Sequence, residues 1–132
     1  MSHRFALRVY YEDTDLAGIV YYANYLKFIE RARSEWVREM GIDQAAMRAG
    51  DGAVFAVARV EADYIQPAKF DDELTVETVI ARASAARVVF GQTVWRGPDR
   101  LFHADVTVVL LDASGRPKRL PATLSRAVPK AE

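Results

Sequence analysis

The chain has 132 residues, about half of them apolar, and 18 Lys plus Arg balance 18 Asp plus Glu. That length predicts a single domain over 1–132 with a real but small core. A neutral chain lacks the basic excess of a nucleic-acid footprint, and it does little to keep copies of itself apart.

Cysteine is absent, which excludes disulfides, thiolate metal sites and a cysteine nucleophile. His3 and His103 are the only imidazoles, so no metal site and no cofactor are expected. The N-terminus, M-S-H-R-F-A-L-R, lacks the apolar core of a signal peptide. No apolar run approaches the roughly 18 residues of a membrane span. The default compartment is the cytoplasm.

Phe5 to Tyr11 alternates, with Phe5, Leu7 and Val9 on one face, and predicts a half-buried strand. Glu12 to Gly18 is rich in turn formers and bends the chain. From Asn24 to Met40 the period becomes helical. Tyr25, Ile29, Ala32, Trp36 and Met40 form a stripe with Phe28 on its flank, and Lys27, Arg31, Ser34 and Arg38 lie opposite. Asn24 suits an N-cap and Gly41 the C′ position. One more helical turn fits around Gln44 to Arg48.

Four strand-like runs follow. Val54 to Ile65 sets Val54, Ala56, Ala58, Val60, Ala62 and Tyr64 on one face. Glu73 to Arg82 alternates through Leu74, Val76, Thr78 and Ile80. Arg87 to Arg96 carries Val88, Phe90 and Val94, and Leu101 to Leu111 carries Phe102, Ala104, Val106, Val108 and Leu110. The tail, Arg116-Pro117-Lys118-Arg119-Leu120-Pro121, reads as basic and irregular. Short connections force antiparallel neighbours, and the apolar face of the sheet needs a cover that only the long helix can supply. The expected class is α+β, an antiparallel sheet of about five strands curled around one long helix.

Chemistry concentrates between the first strand and the helix, where Glu12, Asp13 and Asp15 fall together. Asp15 is followed by Leu-Ala-Gly-Ile-Val, so apolar residues flank its carboxylate, and Gly18 permits backbone geometry that other residues resist. The chain then enters the helix, whose first amides are unpaired donors at the positive end of the dipole. A carboxylate beside such donors suits hydrolysis of an activated acyl group. It serves as general base on water or attacks the carbonyl itself, while a backbone N–H stabilises the oxyanion.

Other residues are weighed against this loop. Tyr10, Tyr11, Tyr21, Tyr22 and Tyr25 cluster near it; they could line an acyl pocket or stack on an aromatic acyl group, and packing in the core and interface is the favoured expectation. Glu30 is expected to pair with Arg33 or Lys27 on the helix surface. His103 is expected to be a satisfied structural histidine.

The run R-V-Y-Y-E-D-T-D-L-A-G-I-V-Y-Y-A-N-Y resembles the active-site signature of the 4-hydroxybenzoyl-CoA thioesterase family of hotdog-fold enzymes, through Arg8, Val9, Thr14, Asp15, Gly18, Ile19 and Val20. The continuation Y-L-K-F-I-E-R-A-R-S-E-W and the ending G-R-P-K-R-L-P resemble the Tol–Pal-associated acyl-CoA thioesterases of Gram-negative bacteria. The resemblance implies a hotdog fold and hydrolysis of acyl-CoA to free acid and CoA. It implies Asp15 as the catalytic carboxylate, the Tyr22 backbone N–H as the amide that polarises the thioester carbonyl, and Gly18 as the glycine that opens the loop to substrate. It also implies a homodimer or homotetramer with CoA across a subunit boundary.

One position departs from the pattern. Many Tol–Pal-type members have histidine where this chain has Tyr22, and the aromatic-CoA branch often has tyrosine there. The implied role belongs to the backbone, so hydrolysis survives and the acyl preference stays open. Coenzyme A phosphates need cations. Arg87, Arg116, Lys118 and Arg119 are the candidates at strand ends and in the tail. The alternative is a non-catalytic module that binds acyl carrier protein or a membrane-associated assembly.

Overall fold

The computed structural model of the protein describes residues 1–127 and 129. The expectation of one domain over 1–132 extends to 128 and 130–132, which lie outside the described residues. The elements run β1 (Ser2–Arg8), a 3-10 turn (Tyr11–Asp13), α1 (Asn24–Glu39), α2 (Gln44–Gly50), β2 (Val54–Tyr64), β3 (Glu73–Ala83), β4 (Val88–Arg96), β5 (Asp99–Leu111), β6 (Pro117–Lys118) and α3 (Ala122–Ser125).

The strands form one antiparallel sheet in the order β1-β3-β4-β5-β2, with β6 joined to β5. The sheet therefore has six strands among the described residues, one more than the sequence predicts. The addition is the two-residue β6, too short to carry any alternation. The α3 turn was also not foreseen in the tail.

One face of the sheet packs on α1. The helix buries Tyr25, Phe28, Ile29, Ala32, Trp36 and Val37 against Val76, Ile80, Phe90, Phe102, Val106 and their neighbours. Leu120 and Leu124 of the tail join the same core. Two polar side chains are fully buried in it, Thr78 and Gln92. Gln92 Nε2 donates to the Ile29 carbonyl at 2.9 Å and to Thr78 Oγ1 at 3.0 Å, which pins the helix backbone to the sheet.

Three local expectations need correction. First, β1 starts earlier and ends at Arg8, because its ladder partner is β3 from Glu73 to Val79. Beyond Arg8 the Asp13 carboxylate takes the Tyr10 N–H at 2.8 Å, which turns the chain into the 3-10 turn.

Second, Asn24 is the first helical residue and Ala23 the N-cap. The Asn24 side chain instead donates to the Asp13 carbonyl at 2.9 Å. At the other end Gly41 adopts φ +87°, as a C′ residue should.

Third, the single apolar face predicted for β2 is broken by a bulge between Val57 and Arg59. Phe55 and Val57 pair with the inward Leu110 and Val108, whereas Val60, Ala62 and Tyr64 pair with the inward Val106, Ala104 and Phe102. The extra residue, Ala58, shifts the side-chain phase by one. Val54 and Ala56 thus lie on the face away from α1.

Candidate active site

The loop between β1 and α1 folds on itself. Thr14 and Val20 form an antiparallel bridge, and a second bridge ties Ile19 to Lys69. Within it, the Asp15 N–H donates to the Ile19 carbonyl and the Gly18 N–H to the Asp15 carbonyl, both at 3.0 Å. Asp at the first position and Gly at the fourth are what a tight turn of this kind selects. Gly18 has φ +78°, and a Cβ there would meet nothing within 4 Å. Backbone conformation rather than space requires the glycine.

This turn aims the Asp15 carboxylate outward. Its Oδ1 accepts the Ala17 N–H at 2.9 Å, and its Oδ2 has no partner among the described residues. The side chain is exposed in the single chain. One oxygen is therefore fixed by the turn while the other remains open to solvent or substrate.

Tyr22 lies where the loop becomes the helix. Its N–H has no hydrogen-bond partner among the described residues, so a donor stands free at the positive end of α1. The rings of Tyr21 and Tyr22 sit 4.9 Å apart. The Tyr21 phenol is pushed above its ordinary range, first by the neighbouring Tyr22 phenol, then by burial, and least by the Asp15 carboxylate. That last influence places Asp15 in the electrostatic reach of the helix entry.

Asp13 ties the loop to its flanks. Its side chain holds the Tyr10 N–H, and its carbonyl accepts both the Tyr21 N–H at 2.9 Å and the Asn24 side chain. It braces the loop whose open carboxylate is Asp15. Arg8, carried by the same signature, binds the Asp71 carbonyl at 3.0 Å and also pairs with the Asp71 and Glu73 carboxylates. It fixes the neighbouring turn, where Asp71 adopts φ +72°.

The tyrosines divide. Tyr25 is buried, with its ring stacked 4.8 Å from Phe102 and its hydroxyl accepting the Ala68 N–H at 3.0 Å. Tyr10, Tyr11, Tyr21 and Tyr22 are exposed around the loop. Sequence reasoning put Tyr64 on an apolar face and missed its hydroxyl, which donates to the Tyr22 carbonyl at 2.9 Å. A tyrosine ending a strand gives no local sign of a partner 42 residues away.

Glu30 accepts from Ser34 Oγ at 2.9 Å, which corrects the expected pairing with Arg33 or Lys27. Arg33 turns inward instead, to Gln92. His103 is satisfied, between Thr93 Oγ1 at 2.9 Å and Asp105 Oδ1 at 3.2 Å.

The expected CoA cations do not join the loop within one chain. The loop lies at the end of the sheet marked by Arg8, Glu73 and Tyr64. Arg87, Arg116 and Lys118 lie at the other end, beside Ala83, Leu111 and Val54. There Lys118 pairs with Asp51. Near that end a cavity of about 160 Å³ opens between α1 and β2, lined by residues that include Arg33, Val37, Phe55, Val57 and Phe90.

A curved antiparallel sheet wrapped on one long helix is the hotdog architecture. Residues 17–103 match the model of the thioesterase superfamily, and the chain belongs to that family. It is 41% identical over 108 residues to the acyl-CoA thioesterase YbgC of Haemophilus influenzae, covering 82% of this chain and 79% of that one. It is 37% identical over 123 residues to the acyl-CoA thioester hydrolase YbgC of Escherichia coli O6:H1, covering 92% and 91%.

Among solved structures, a probable thioesterase from Bartonella henselae superposes with a TM-score of 0.87 at 39% identity, covering 92% of this chain and all of that one. An aspartate-to-asparagine mutant of 4-hydroxybenzoyl-CoA thioesterase complexed with 4-hydroxybenzoyl-CoA gives a TM-score of 0.84 at 26% identity, covering 92% and 94%.

Proposed function

We propose that this thioesterase hydrolyses an acyl-CoA thioester at the Asp15 loop. Water is consumed, the carbon–sulfur bond breaks, and a carboxylic acid and the CoA thiol are released. Asp15 either takes the proton from water or attacks the thioester carbon itself. The Tyr22 N–H and the helix N-terminus polarise the carbonyl and stabilise the oxyanion as it forms. The observation that carries this reading is the pairing of one free carboxylate oxygen with one free amide at a helix start. Gly18 supplies the turn that exposes both to substrate. The whole chain, 1–132, acts as one domain.

The active unit is a dimer in this reading. Strand β2 is a free sheet edge with exposed Val54, Val57, Val60 and Ile65 on or beside it, which is a template for pairing. The other edge, β1, carries Arg4 and Arg8 among carboxylates. Antiparallel addition of a second copy at β2 sets the Val54 end of one copy beside the Tyr64 end of the other. Arg87, Arg116 and Lys118 of one copy then lie on the side of the other copy's Asp15 loop, where they can hold the CoA phosphates. The same geometry brings the apolar cavity of one copy next to the other's loop, a place for the acyl chain. Dimers pair further into a homotetramer in the cytoplasm, in the branch associated with Tol–Pal.

The test is free-thiol release from a panel of acetyl-, butyryl-, hexanoyl-, palmitoyl-, benzoyl- and 4-hydroxybenzoyl-CoA. Turnover of at least one is expected. A folded protein that hydrolyses none sinks the reading. Adding an acyl carrier protein loaded with the same acyl groups distinguishes a carrier substrate from CoA.

A further inference from the structure

We infer that Tyr64 is a positioning residue for the thioesterase site, holding the peptide that follows Tyr22 out of the α1 ladder. The inference rests on the reading of Asp15 and the Tyr22 amide given above.

In a continuous helix the Tyr22 carbonyl would accept the N–H of Leu26, four residues on. That N–H instead bonds to the Ala23 carbonyl at 3.2 Å. The Tyr22 carbonyl takes the Tyr64 hydroxyl, at 2.9 Å, in its place. One phenol thereby decides where α1 begins. The bond fixes the rotation that links the Tyr22 carbonyl to the Tyr22 N–H, and so fixes the direction of that free amide.

The anchor itself is stiff. The Tyr64 ring meets Phe102 at 5.1 Å, Tyr25 at 5.6 Å and Tyr22 at 6.2 Å between centroids, all near edge-on. Phe102 is fully buried in β5 and Tyr25 in α1. The ring thus leans on sheet and helix along one side, stays half exposed on the other, and sends its hydroxyl to the loop backbone. Burial and the neighbouring phenols of Tyr22 and Tyr25 raise its pKa, so the hydroxyl remains a donor at neutral pH.

Tyr64 is also the last residue of β2, the sheet edge that is free in the single chain. The direction of the amide at the helix start therefore depends on the placement of that edge. A mechanical line runs from the strand through one hydroxyl to the Tyr22 amide.

The experiment compares wild type, Tyr64→Phe and Asp15→Asn on the best acyl-CoA of the panel, with kcat, KM and melting temperature measured for each. Phenylalanine keeps the ring contacts and removes only the donor. The expected result is a kcat lowered about 10-fold in Tyr64→Phe, with KM within about twofold and the melting temperature within a few degrees of wild type. An unchanged kcat beside an inactive Asp15→Asn overturns the Tyr64 inference and leaves the site reading standing. A kcat loss matched by a loss of folded protein, read by circular dichroism at the assay temperature, overturns it as well, because Tyr64 is then only structural. Full activity in Asp15→Asn removes the site reading and this inference with it.

Discussion

Arg33 Nη1 donates to Gln92 Oε1 at 2.9 Å across the interface between α1 and β4. The guanidinium is pushed below its ordinary range, mainly by burial and against the pull of Glu30. Gln92 in turn spends its two N–H groups on the Ile29 carbonyl and Thr78. Replacing Gln92 by Ala leaves three polar groups short of a partner inside the core. The expected cost is on the order of 3 kcal/mol, read as a shift in the urea midpoint with the slope unchanged. A loss under about 1 kcal/mol would mean that water replaces the amide.

Asp15 and Asp13 are chemically alike and differently employed. Asp15→Asn is expected to lower kcat on the order of 100-fold or more while the melting curve is kept. Asp13→Ala removes the acceptor for the Tyr10 N–H and is expected to cost about 1 kcal/mol of stability, with kcat falling far less than in Asp15→Asn. Two variants that lose turnover equally would show that the base has been assigned to the wrong carboxylate.

Acid should loosen the turn behind the loop. Burial alone would raise the Asp72 pKa, but the Lys69 N–H and the Arg96 guanidinium outweigh it and hold the carboxyl below its ordinary range. The folded pKa is then lower than the unfolded value of about 3.9. The stability it contributes is present above that value and is lost as pH falls through the folded pKa. The melting temperature of wild type should fall steeply below about pH 4, and Asp72→Asn should flatten that limb. An identical slope in both proteins would place the acid sensitivity elsewhere.

Charge on the free edge tests assembly and activity together. Val57→Lys with Val60→Lys puts like charges opposite one another if two copies of β2 pair antiparallel. Light scattering is expected to show monomers, and turnover is expected to fall on the order of 100-fold because each loop loses the partner's cations. A fully active monomer would contradict a site shared between chains.

The legible parts of the chain are those with one unbroken period. The alternation Leu74, Val76, Thr78, Ile80 survives in β3 because both its edges are paired and one face is covered. The α1 stripe survives because nothing interrupts the helix. Strand β2 looked equally regular and was misphased, since a bulge costs one residue and leaves no mark in composition. The tail was read as irregular because β6 and α3 are too short for periodicity, although Leu120 and Leu124 fill the core. In the candidate site, Asp15 and Gly18 stand out as a local acidic turn, whereas Tyr22 enters only through the family resemblance. Tyr64, Gln92 and the separation of Arg87, Arg116 and Lys118 from the loop depend on strand order, which no local pattern encodes.

The single surplus residue at Ala58 works as a phase shifter. With strict alternation from Phe55 and Val57, the inward positions downstream would be Arg59, Glu61 and Asp63. Three charged side chains would then face the helix, and Tyr64 would swing to the far side of the sheet. Deleting Ala58 would give a regular strand with both faces kept, whereas drawing Ala58 into the ladder would exchange the two faces downstream of it. The reach of a phenol to the helix entry is thus set six residues upstream, by an irregularity that packs nothing itself.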